Sequence, residues 1–151
     1  MVASRREEYI EVVYEIAEQK GYARVKDVSQ ELGVGRSTVS EMFKKLDESG
    51  YVNYERYGGV TLTDKGKKLA IKLSEKHEVL REFLVILGLE NEIADDEACE
   101  IEHVVKHETM DRLTKFVEFI HRHENPLWLD RFKGFYETGE LDECPKTIKK
   151  D

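Results

Sequence analysis

The sequence predicts a mainly α-helical fold with one small β-hairpin, on three observations. Apolar residues recur every three or four positions from residue 5 to residue 48. The period drops to two between residues 51 and 63, where Val, Thr and Tyr dominate. From residue 64 the helical period returns and persists to about residue 138. Helix, turn, helix and then hairpin is the order of a winged helix-turn-helix, and the remainder forms a helical second domain. The division is expected at residues 1–63 and 64–151, with a long linking helix over about 64–87.

The first helix covers residues 5–20, with Tyr9, Val12, Val13, Ile16 and Ala17 on its apolar stripe, and Gly21 ends it. A short second helix over 25–32 turns Val25, Val28 and Leu32 inward. Gly33-Val34-Gly35 makes the turn. Arg36-Ser37-Thr38 open a third helix that buries Val39, Phe43 and Leu46 and stops at Ser49-Gly50. Residues 51–55 and 60–63 are the hairpin strands around Arg56-Tyr57-Gly58-Gly59. Thr63 or Asp64 caps the long fourth helix, whose apolar positions include Leu69, Leu73, Leu80, Leu84 and Leu87, and Gly88 ends it. A fifth helix is expected over 92–106. A sixth over 108–123 carries Met110, Leu113, Phe116, Val117 and Ile120, and Asn125-Pro126 breaks it. Residues 127–138 suffice for one more short helix, and the tail after Cys144-Pro145 is expected to fray.

Composition narrows the function classes. The 151 residues are 40% hydrophobic and 37% charged, as in a soluble globular protein. No run of about 18 apolar residues offers a membrane span. The opening Met1-Val2-Ala3-Ser4-Arg5-Arg6 leads into charged residues without an apolar core, so a cytoplasmic location is expected. Cys99 and Cys144 do not suggest a disulfide framework. The net charge of −8 is unevenly spread. Residues 1–75 hold 13 basic and 13 acidic side chains, whereas residues 76–151 hold 11 and 19. A neutral first half joined to an acidic second half fits a DNA-reading head attached to an acidic ligand or partner domain.

Within the winged head the third helix is the recognition helix. Arg36, Ser37, Thr38, Ser40 and Glu41 are expected to face the major groove, with Lys44 and Lys45 near phosphates. Short hydroxyl donors suit phosphate oxygens, which position a protein more than they specify sequence. Arg56 and Tyr57 at the wing tip reach an adjacent backbone or minor groove. The bland alternative is a small helical scaffold used for protein contact. Small polar and basic residues on the exposed face, together with the wing, favour double-stranded DNA.

The second half supplies chemistry. In Cys99-Glu100-Ile101-Glu102-His103, the spacing i, i+3, i+4 puts Cys99, Glu102 and His103 on one face if the stretch is helical. Thiolate, carboxylate and imidazole are ligand types for a divalent transition metal. Glu8 and Glu11 lie at the edge of the first helix's apolar stripe, and His77 lies between Leu73 and Leu80. Each has an ordinary reading: solvated glutamates, a packed histidine, a small core cysteine. The joint pattern points to six ligands converging from three helices and to a metal-sensing regulator. An enzyme reading starts from His103-Val104-Val105-Lys106-His107, two histidines at i, i+4. Zinc-protease patterns need a Glu beside one of them, and Val104 and Lys106 stand there instead. No enzyme and no small-molecule substrate is expected. The runner-up is a winged-helix regulator that answers an organic ligand or protein partner without metal.

The chain resembles the diphtheria-toxin-repressor family, in particular its short manganese transport regulator branch. The resemblance covers nearly all of residues 5–123. It is carried by Glu8-Tyr9-Ile10-Glu11, Lys20-Gly21-Tyr22-Ala23-Arg24-Val25, Leu62-Thr63-Asp64-Lys65-Gly66-Lys67, Lys76-His77-Glu78 and, most specifically, Glu97-Ala98-Cys99-Glu100-Ile101-Glu102-His103. It implies a homodimer that binds palindromic operators when loaded with metal and represses metal-uptake genes. It also implies a helical dimerisation and metal-binding domain without the SH3-like domain of longer members. The manganese branch uses carboxylates at the positions of Glu8, Glu11 and Glu102, histidines at those of His77 and His103, and a further glutamate at position 99. Cys99 stands there instead, as in iron-type members, which usually have Met where this chain has Glu8. The site implied is a hybrid for Mn²⁺ or Fe²⁺, with Co²⁺, Zn²⁺ or Ni²⁺ accepted in vitro. Positions 81 and 95, where the iron type builds a second site, hold Arg81 and Asp95.

Overall fold

The computed structural model describes residues 2–123 and 127–141. Its elements run α1 (Val2–Lys20), α2 (Val25–Leu32), α3 (Arg36–Glu48), β1 (Val52–Glu55), β2 (Gly59–Leu62), α4 (Asp64–Ile86), α5 (Asn91–Ile101), α6 (His107–Arg122) and α7 (Leu127–Thr138). The break at Asn125-Pro126 and the tail around Cys144-Pro145 lie outside the described residues.

The first core gathers α1, α2, α3 and the hairpin. Helix α1 buries Tyr9, Val12 and Val13 as its stripe requires, and Ile10 as well. Ile10 joins because α1 is packed by several neighbours, α2, β2 and α4. Val39, Phe43 and Leu46 of α3 are fully buried, with the Phe43 ring edge-on to Tyr54 at 5.5 Å. The strands pair antiparallel with Val52 opposite Leu62 and Tyr54 opposite Val60. Ala23 extends this sheet by one bridge, exchanging two backbone hydrogen bonds with Val60 at 2.7 and 2.8 Å. Gly59 sits under that bridge at φ +94°, where a Cβ would lie 2.8 Å from the Tyr22 ring.

Helix α4 leaves this core and enters a second one. Thr63 caps it: its hydroxyl accepts from the Gly66 N–H at 3.1 Å and donates to the Gly50 carbonyl at 2.6 Å. Gly66 lies so close to the hairpin that a Cβ would stand 2.1 Å from the Tyr51 carbonyl oxygen. Ala70 still belongs to the first core, whereas Leu80 packs with Ala98 of α5 and Met110 of α6 in the second. The buried positions of α4 are Gly66, Ala70, Leu73, Leu80 and Leu84. Leu87 is exposed, past the helix end. Trp128 of α7 leans on Phe116 with ring centroids 6.1 Å apart, Leu129 is half-buried, and Leu127, Phe132, Phe135 and Tyr136 remain exposed.

One expectation is corrected. Helix α5 stops at Ile101 instead of residue 106, and residues 102–104 form a turn before α6. Val105 packs against the second core and its carbonyl accepts from the Lys76 ammonium at 3.2 Å. These contacts favour a bend over another helical turn. Glu102 is the α5 cap and keeps helical backbone, so it still shares a face with Cys99, whereas His103 lies in the turn beyond the helix. His103 lies in the turn while His107 opens α6, so these two are not an i, i+4 pair on one helix. Among the described residues no helix is long and apolar enough to cross a membrane.

Candidate functional site

The turn after α5 has a consequence for chemistry. It lets Glu102, at the helix cap, drop its whole side chain inside while His103 follows it inward. Glu102 is 0% exposed and, among the described residues, is the one charged side chain buried completely. Burying a carboxylate without full hydrogen bonding is costly, and the group responds by holding its proton. Burial first, then the facing carboxyl of Glu11, push Glu102 up to about 10. Its Oε1 has no hydrogen-bond partner, nor has Oε1 of Glu11. Such orphaned buried oxygens are what an ion would satisfy.

Two triads share Glu102. His77, Cys99 and Glu102 offer ligand atoms within 4.8 Å of one another, and so do Glu11, Glu102 and His103. Glu102 Oε2 lies 2.9 Å from Nδ1 of His77, and Oε1 lies 3.3 Å from Nε2 of His103. Glu11 Oε1 is 3.9 Å from the same Nε2. The donors come from α1, α4 and the end of α5, so an ion here would join three elements. Cys99 adds sulfur from the exposed side. Burial of the thiol, with the charges of Glu102 and Glu11 next, raises it to about 11, so it binds metal only by releasing a proton. A mixed carboxylate, imidazole and thiol set fits a divalent first-row metal.

Glu8 is in neither triad. Its Oε2 is 2.7 Å from the Arg5 guanidinium. It does line the same cleft, of about 540 Å³, with Glu11, Cys99 and His103. Two carboxylates outside the expected ligand set also reach the histidines. Glu7 Oε2 lies 2.7 Å from Nδ1 of His103, and Asp95 Oδ1 lies 2.6 Å from Nε2 of His77. Spacing puts each on the face of an expected ligand, Glu7 four residues before Glu11 and Asp95 four before Cys99, but does not say which histidine it meets.

The face of α3 away from the core carries Arg36, Ser37, Thr38, Lys44 and Lys45, all exposed, with Ser40 half-buried. The α3 N-cap is Gly35 and has no side-chain cap, which leaves first-turn N–H groups for an anion. Arg56 and Tyr57 are exposed at the wing tip, the guanidinium 5.8 Å from the ring centroid. Arg24 and Lys26 share a groove with Arg56 and Tyr57, two cations that periodicity did not single out.

Fold and site together define a winged-helix protein whose DNA-reading head is tied to a helical, metal-liganding base. Comparison with known proteins gives the same class. Residues 1–60 match the N-terminal DNA-binding domain of iron-dependent repressors, and residues 63–127 match the metal-binding and dimerisation domain of the same family. The HTH-type transcriptional regulator MntR of Bacillus pumilus strain SAFR-032 is 42% identical over 119 residues, which is 79% of this chain and 83% of that one. MntR of Bacillus subtilis strain 168 is 40% identical over 119 residues, covering 79% of this chain and 84% of its own. Among solved structures, the manganese regulator SloR superposes with a TM-score of 0.65 at 32% identity, over 76% of this chain and 54% of that chain. A manganese-dependent transcriptional repressor in complex with manganese gives 0.65 at 33% identity, over 76% and 53%. This chain thus spans about half the length of those two structures. The chain belongs to the iron-dependent repressor family of metal-dependent transcriptional regulators.

Proposed function

We propose that this protein represses metal-uptake genes when Mn²⁺ or Fe²⁺ binds to Glu11, His77, Cys99, Glu102 and His103, with Glu8 at the rim of the cleft. The observation that supports this most directly is Glu102, a buried carboxyl shared by two ligand triads drawn from three elements. Bound there, a divalent ion supplies the positive charge that offsets Glu11 and Glu102. Glu11 then holds α1, and with it the head of residues 1–63, against the base of residues 64–151. In the dimer this fixes two recognition helices about 34 Å apart, one DNA turn. Arg36, Ser37, Thr38, Ser40, Lys44, Lys45, Arg56 and Tyr57 make the DNA contacts of a palindromic operator. The thiol of Cys99 moves the preference from Mn²⁺ towards Fe²⁺ and later first-row metals, relative to an all-oxygen and nitrogen set.

The relatives act as regulators of transcription, a non-enzymatic role, and we assign the same role here, in the cytoplasm. The test is operator binding with and without Mn²⁺ or Fe²⁺ under anaerobic conditions. Wild type is expected to need metal, and Glu11→Lys and Cys99→Ala to lose that dependence. Unchanged metal dependence in both variants would exclude this site.

A further inference from the structure

The imidazole of His77 is held at both ends. Nδ1 faces Glu102 Oε2 at 2.9 Å, and Nε2 faces Asp95 Oδ1 at 2.6 Å. A neutral imidazole carries one N–H, and the partner of each nitrogen decides where that hydrogen sits. A bare Nε2 would set its lone pair against a carboxylate oxygen at 2.6 Å. The Glu102 contact is the longer of the two, 2.9 Å against 2.6 Å, and Glu102 is fully buried whereas Asp95 is open to solvent. The hydrogen therefore belongs on Nε2, donated to Asp95. We propose that Asp95 is a positioning residue for the metal site: it accepts the Nε2–H of His77 and thereby presents an unprotonated Nδ1 to the ion.

The placement follows from α5. Asp95 and Cys99 are four apart and Glu102 is seven from Asp95, so the three make a stripe along α5 and its cap. His77 of α4 lies across that stripe, touching both of its ends. The two ring nitrogens point away from each other, so Asp95 sits on the far edge of the ring from an ion at Nδ1. That edge rules Asp95 out as a ligand of the same ion and suits it to fix tautomer and ring orientation, a role such outer carboxylates play at metal-bound histidines. The Asp95 side chain is 59% exposed, so its removal leaves no buried cavity.

This inference rests on the proposed metal site, and the experiment separates the two. Full-length wild type, Asp95→Ala, Asp95→Asn and Glu102→Gln are titrated with Mn²⁺ against a fluorescent chelator. Ring ¹⁵N shifts of His77 are recorded for each metal-free protein. Wild type is expected to show the Nε2–H tautomer. Asp95→Ala is expected to mix tautomers and to bind Mn²⁺ about 10- to 100-fold more weakly. Asp95→Asn keeps an acceptor oxygen and should recover most of that loss. Wild-type affinity and tautomer in Asp95→Ala would overturn the proposal, as would a loss in Asp95→Asn equal to that in Asp95→Ala. If Glu102→Gln binds Mn²⁺ like wild type, the metal site itself is misplaced and both readings fall. If Glu102→Gln loses binding while Asp95→Ala does not, only the Asp95 proposal fails.

Discussion

Glu102 sits where water does not reach it, and its protonation links metal, pH and stability. Its folded value of about 10 stands above the ordinary 4.5. Between those values the folded chain holds a proton that the unfolded chain gives up, so the metal-free protein loses stability as pH rises through that window. Cys99, raised from 9.0 to about 11, acts with the same sign only in the alkaline part. Urea unfolding of metal-free protein at about pH 6 and about pH 8.5 is expected to give the lower midpoint at the higher pH, and Glu102→Gln to flatten the difference. A slope of the opposite sign in wild type would contradict the buried carboxyl. If Glu102 and Cys99 are ligands as proposed, metal displaces these protons, and calorimetry in buffers of different ionisation heat is expected to show proton release on Mn²⁺ binding. The sequence made the donor types legible at positions 77, 99, 102 and 103. It did not make Glu7 and Asp95 legible, because a glutamate or aspartate on a charged helix carries no mark of which histidine it faces. The orientation of α1 and α4 around α5 supplies that information, and spacing along one helix does not contain it.

At the scale of elements, the junction between hairpin and α4 sets how firmly the head meets the base. Thr63 joins the Gly50 carbonyl to the first turn of α4, and Gly66 gives that turn its close approach to Tyr51. Any side chain at position 66 must push the hairpin away, and a backbone carbonyl has no rotamer with which to yield. Gly66→Ala is expected to cost about 3 kcal/mol, measured by urea unfolding, the upper end for overpacking. Thr63→Ala should cost about 1 kcal/mol, the usual loss of a helix cap. A Gly66→Ala variant as stable as wild type would show that the junction is loose. The element order and most of the buried positions could be read from the 3.6 and 2.0 periods, since those periods follow from burial of one face. The premature end of α5 could not. No Gly or Pro marks it; the bend comes from Val105 and Lys76 meeting across the tertiary fold.

For the whole molecule, the uneven charge and the two cores make separable demands. The second half carries the net −8, which opposes DNA, so attraction is expected from cations of the first half, among them those exposed on α3 and the wing. Each cation that neutralises a phosphate releases a counterion, and the logarithm of affinity falls with the logarithm of salt in proportion to their number. Lys44→Ala or Arg56→Ala in the metal-loaded dimer should therefore weaken operator binding and reduce the salt slope by about 1. The Mn²⁺ affinity measured without operator should stay as in wild type, because Lys44 and Arg56 are not among the proposed ligands. Glu11→Lys should do the reverse: salt dependence of the residual binding stays, and the response to metal disappears. The reason is linkage, since metal strengthens operator binding only as far as it favours the docked head over the loose one. A variant pair in which Lys44→Ala changes the Mn²⁺ affinity of the DNA-free protein, or Glu11→Lys keeps the metal response, would show that head and base are not coupled through α1.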